Sequence, residues 1–67
     1  MNWYKEEKMR WIKESLEVFG FINRIHLVRR FRISAQQASK DLRMFDELHG
    51  NLWHYDPRKK AYVANTP

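Results

Sequence analysis

The chain has no cysteine among its 67 residues, and only two glycines and two prolines. Without cysteine there are neither disulfides nor thiolate metal sites, which suits a reducing cytoplasm. No run of apolar residues approaches the length that crosses a bilayer, and the N-terminal MNWYKEEKMR lacks the apolar core of a signal peptide. These absences predict a cytoplasmic chain. No repeat, low-complexity tract or interdomain linker breaks it, so residues 1–67 are expected to form one domain. A domain this small hides only about 60% of the surface its unfolded chain exposes. Its core supplies roughly 3–5 kcal/mol, so a partner subunit is the stabilising device left to it.

Acidic residues are also scarce, 8 against 13 lysines and arginines, and the net charge is +5. The excess is not spread evenly. Residues 1–19 balance Lys5, Lys8, Arg10 and Lys13 against Glu6, Glu7, Glu14 and Glu17. Residues 20–45 set Arg24, Arg29, Arg30, Arg32, Lys40 and Arg43 against Asp41 alone, and Arg58, Lys59 and Lys60 form a second cluster. Charge runs are usually solvated faces, but two basic islands flanking one candidate helix favour an anionic partner.

Met9, Ile12, Leu16 and Phe19 recur at helical spacing before Gly20, which predicts a first helix over residues 3–19. Tyr4, Trp11 and Val18 form a second stripe on its other side, too far round to share the same core. Phe21 and Ile22 read as a brief extended piece. Asn23 can cap a second helix over 24–31, with Ile25, Val28, Leu27 and Phe31 as candidates for its inward face. After a tight connection at Arg32 and Ile33, Ser34 and Gln37 give the S-x-x-Q capping box of a third helix over about 35–48, closed by His49 and Gly50. Two short helices joined by a tight turn describe a helix-turn-helix. The β-formers at 52–55 and 61–64 flank Asp56-Pro57-Arg58-Lys59, a type I turn signal, so 52–64 reads as a hairpin with a basic tip. The expected fold is mainly α, three helices followed by a two-stranded wing.

On the third helix Ala35, Ala38, Leu42 and Phe45 mark the core side, and Gln36, Lys40 and Arg43 form one polar stripe opposite. Gln matches the edge of adenine, and Lys or Arg that of guanine, in a major groove wide enough for a helix. Ser39 flanks the stripe. Gln37 is expected chiefly to return its amide to the Ser34 N–H, with base contact as a lesser role. Asp41 is expected to pair with Arg29 or Arg30. Arg29, Arg30, Arg58, Lys59 and Lys60 are candidates for phosphate contacts, which position without reading sequence.

The segments LVRRF, IS-x-x-QAS-x-DL, GNL and YDPRKKAYVANTP, within residues 21–67, resemble the N-terminal winged helix-turn-helix of bacterial WYL-domain transcriptional regulators. That family includes repressors beside phage-defence loci and is similar to DeoR-type DNA-binding domains. The resemblance implies a dimeric repressor whose third helix contacts DNA through Ser34, Gln36, Gln37, Ser39, Lys40 and Arg43, with the wing on the backbone. Arg32 stands where such turns often carry glycine. Relatives continue into an effector-sensing WYL domain, which is absent from these 67 residues.

Double-stranded DNA is therefore the expected partner, and transcriptional repression the expected role. A protein-interaction module is the alternative, since the same scaffold serves both. The stripe Tyr4, Trp11 and Val18 is the candidate surface for a homodimer. An enzyme is not expected: His26, His49 and His54 lack metal-ligand spacing, and no carboxylate pair or nucleophile accompanies them. No cofactor or metal is called for.

Overall fold

Helix α1 runs Trp3–Phe19 and stops at Gly20, whose φ of +83° is a left-handed conformation that glycine adopts without steric cost. The Gly20 N–H still donates to the Leu16 carbonyl at 3.0 Å, closing the last turn. The chain continues through β1 (Phe21–Ile22), α2 (Arg24–Phe31), α3 (Ala35–His49), a 3-10 turn (Gly50–Leu52), β2 (Trp53–Asp56) and β3 (Ala61–Ala64). This computed structural model describes residues 3–65; residues 1, 2, 66 and 67 of the expected domain lie outside the described residues.

The sheet holds three strands in the order β1-β3-β2, all antiparallel. Phe21 pairs with Val63 and Ile22 with Tyr62, so the brief extended piece after α1 is an edge strand of the wing. In the hairpin Trp53 pairs with Ala64 and Asp56 with Ala61. The strand thus begins one residue later than expected, because Leu52 belongs to the 3-10 turn. Residues 57–60 make the loop, with Lys60 at φ +51°. Asp56 Oδ1 accepts from the N–H groups of Arg58 (2.9 Å) and Lys59 (3.3 Å), the side-chain turn contact for which aspartate is favoured before a turn.

Ile12, Leu16, Ile22, Leu27, Ala38, Leu42, Phe45 and Trp53 form the core, drawn from all three helices, β1 and β2. Phe45 is fully buried, its ring 4.7 Å from that of Trp53, which stacks on Tyr62 at 4.0 Å. Trp53 Nε1 donates to Asp46 Oδ1 at 2.7 Å, so the hairpin is fastened to α3 by both a polar and an aromatic contact. The result is a winged helix-turn-helix, mainly α with a small sheet. Among the described residues no helix is long and apolar enough to cross a membrane.

Several expectations about faces are corrected. Phe19, at the end of α1, is 70% exposed and lies outside the core. Ile25 is 53% exposed and Leu27 takes the buried position of α2. Gly50 has φ −59°, a right-handed conformation, so α3 runs on into the 3-10 turn rather than ending in a left-handed glycine cap. Tyr4 and Trp11 have a partner within the domain: both rings stand edge-on to Phe31, at 5.8 and 5.5 Å. The second stripe of α1 is thus mostly used within the domain.

Candidate nucleic-acid interface

Two caps set the helix-turn-helix. Asn23 Oδ1 accepts from the His26 N–H at 3.3 Å while His26 Nδ1 accepts from the Asn23 N–H at 3.2 Å, a reciprocal box that starts α2. The histidine in this box was not anticipated, since glutamate or glutamine is the usual signal at that position. Ser34 Oγ accepts from the Gln37 N–H at 3.0 Å and starts α3. Between them Arg32 sits at φ 53°, ψ 48°, the left-handed geometry usually given to glycine. A single such residue reverses the chain and lays α3 across α2.

The expected return of the Gln37 amide to Ser34 is not what forms. Gln37 Nε2 donates instead to Asp41 Oδ1 at 3.1 Å, one turn further along α3. Nor does Asp41 pair with Arg29 or Arg30. Its Oδ2 lies 2.8 Å from Lys8 Nζ of α1, and both side chains are buried. The carboxylate is buried on the same side of α3 as Ala38 and Leu42, and its cation comes from α1. Sequence separation of 33 residues hid that partner.

Ala38, Leu42 and Phe45 are buried, while Gln36, Lys40 and Arg43 are exposed on the other side of α3, with Ser34 exposed at its start. Ser39 is half-buried, and Arg24 Nη1 reaches its Oγ at 3.5 Å. A cleft of about 770 Å³ separates α3 from the wing. Arg24, Ser39, Arg43, Lys59 and Lys60 line it together with Asn23, Tyr55 and Tyr62; Asp46 is its one acid. That acid is already engaged by the Trp53 indole. The cleft is therefore cationic, with donors from α2, α3 and the wing converging on one groove.

Arg24 joins the site with one signal in the sequence, its place directly after the cap Asn23. Other expected residues do not converge. Arg29 borders an apolar hollow with Trp11, Ser15, Phe19, Phe21 and His26, and Arg30 lies over the Phe31 ring at 5.1 Å. Arg58 is exposed at the wing tip, outside the cleft lining. Burial holds the Tyr62 hydroxyl above the ordinary tyrosine range, with Asp46 and Tyr55 adding to the effect and Arg43 opposing it. It stays neutral in the lining of the groove.

The three histidines have structural partners: His26 in its cap, His49 against Phe45 at 5.1 Å, and His54 beside Asn65 Oδ1 at 2.6 Å. Among the described residues no group of three histidine or acidic side chains could hold a metal ion.

Comparison with known proteins places the chain in a family. The family model described as "BrxR transcriptional regulator winged helix-turn-helix domain" matches residues 5–67. The chain is also 38% identical over 64 residues to the DNA-binding transcriptional repressor CapW of Stenotrophomonas maltophilia, an alignment spanning 96% of this chain and 21% of that protein. It thus covers about a fifth of the relative's length. The chain belongs to the BrxR transcriptional regulator winged helix-turn-helix domain family, a family of regulators and not of enzymes.

Proposed function

We propose that this domain binds double-stranded DNA sequence-specifically, with α3 in the major groove and the β2–β3 hairpin on the phosphate backbone. The observation that carries the reading is the stripe Gln36, Lys40 and Arg43, exposed beside a cationic cleft that joins α2, α3 and the wing. Gln36 is the primary base reader, with Lys40 and Arg43 suited to guanine edges and Ser39 and Gln37 beside them. Ser34, Arg24, Lys59, Lys60 and Arg58 serve the backbone; Arg29 and Arg30 reach it only as outlying charges.

Similarity to the transcriptional repressor CapW supports a repressor role, and the domain acts in the cytoplasm. The domain works as a homodimer through α1, with Val18 and the neighbouring Phe19 at the contact and Tyr4 and Trp11 behind it. Val18 and Phe19 are 72% and 70% exposed. Two copies would present their α3 helices to half-sites about 34 Å apart or a multiple of it.

A salt-titrated binding assay on duplexes from the protein's own locus tests the reading. One duplex should be preferred, with affinity falling at a slope of about −0.9 per phosphate contacted. Equal binding to every duplex would leave only a non-specific basic surface and refute it.

A further inference from the structure

Asp41 is 1% exposed, and its two oxygens serve two helices. Oδ2 receives Lys8 Nζ from α1, and Oδ1 receives Nε2 of Gln37. A carboxylate in an ion pair accepts hydrogen bonds and donates none. The Gln37 amide can therefore meet it only nitrogen first, since a flipped amide would set oxygen against oxygen. Lys8 supplies the counter-charge and takes the second oxygen, so the carboxylate is held from both sides. Gln37 itself is half-buried in the first turn of α3, the part of a recognition helix that contacts base edges.

We propose that the Lys8–Asp41 pair is a positioning device that makes Gln37 a reader of adenine and sets it against guanine. This rests on the reading of α3 as the helix in the major groove. The argument is a count of hydrogen-bonding groups. A free glutamine amide has two N–H donors and one oxygen acceptor. Adenine offers one acceptor, N7, and one donor, N6–H; guanine offers two acceptors, N7 and O6. An unrestrained glutamine can turn both N–H groups toward guanine. With one N–H committed to Asp41, one donor and one acceptor remain, the complement of adenine. Placed on guanine, the same amide would bring its oxygen against O6.

The test uses the full 67-residue chain and duplexes carrying each base in turn at every position of the preferred site. The parent chain should show one position where adenine is favoured over guanine by about tenfold or more. Gln37→Met should abolish that preference and no other. The double variant Lys8→Met/Asp41→Leu replaces the pair by apolar side chains; it should bring the adenine-to-guanine ratio at that position to within about threefold while the other positions keep theirs. A merely structural role for the pair would weaken all sites alike.

If the double variant binds specifically with the parent's ratio, the positioning role is wrong and the DNA reading stands. If the parent shows no base preference anywhere, both fall. A readout on the unmodified chain guards against a double variant that does not fold: the two Gln37 side-chain amide protons should differ, one protected from exchange by Asp41. Equal, unprotected protons would overturn the proposal.

Discussion

Lys8 Nζ lies 2.8 Å from Asp41 Oδ2, with the two side chains 4% and 1% exposed, and this ion pair ties α1 to α3. Burial removes water from both charges, so each depends on the other. Among the described residues no buried side-chain polar atom lacks a partner, so the pair sits in a fully satisfied network. Asp41→Leu alone, or Lys8→Met alone, should destabilise the domain by about 3–5 kcal/mol, because each strands a buried charge. The double variant should lose far less, and a denaturant-melting cycle over the four proteins measures the difference.

Loss of either cap should be felt by its own helix. Ser34→Ala removes the acceptor of the Gln37 N–H and should cost about 1 kcal/mol, as should Asn23→Ala at the start of α2. Arg32→Gly works in the opposite direction. It relieves a left-handed arginine, less the entropy glycine adds to the unfolded chain, for a net gain on the order of 0.5 kcal/mol. Thermal melting resolves both signs.

Readers and positioners of DNA should separate experimentally. Gln36→Ala and Arg43→Ala should flatten discrimination between duplexes, costing roughly 1–3 kcal/mol on the preferred site. Lys59→Ala should weaken all duplexes alike and reduce the salt slope by about 0.9. Arg24→Ala, from the far wall of the same cleft, should behave as Lys59 does. Fluorescence anisotropy at several salt concentrations distinguishes the two classes.

Val18→Glu probes the proposed dimer without touching the core, since Val18 projects from α1 into solvent. Sedimentation should show the parent associating with itself and the variant monomeric. Trp11→Glu is the poorer probe: Trp11 rests on Phe31, so the change would unseat α2 as well. Two monomeric proteins of equal mass would end the dimer proposal.

Alkaline stability should report the groove lining. The raised Tyr62 pKa means that the folded state holds this proton more tightly than the unfolded chain, whose value is near 10. The linked stability is fully present below that value and is lost as pH rises through the higher folded value. Tyr62→Phe should remove this component, so its melting temperature should fall less than the parent's above about pH 10.

The helices were legible because their signals are local. Helical periodicity outlined α1, the serine before Ala35 marked the start of α3, and the alternation of Ala38, Leu42 and Phe45 with Gln36, Lys40 and Arg43 divided α3 into two faces. The resemblance in residues 21–67 identified the type of domain from motifs in the turn and wing. Each of these depends on neighbours within about one or two turns of chain.

What the tertiary structure alone decided involves residues that chain distance keeps apart. Phe21 and Ile22 are too few to declare a strand, and become one only because β3 offers them an edge. The stripe of Tyr4 and Trp11 looked partnerless until the end of α2 placed Phe31 beneath it. Arg24, Arg43 and Lys59 become one groove only when three elements converge. Asp41 is the sharpest case: five arginines stand between residues 20 and 45, yet it pairs with Lys8, because a buried carboxylate takes the cation that the packed helices bring to it. Local sequence determined which segments are helical and which face of α3 is polar; the meeting of surfaces determined what each polar group touches.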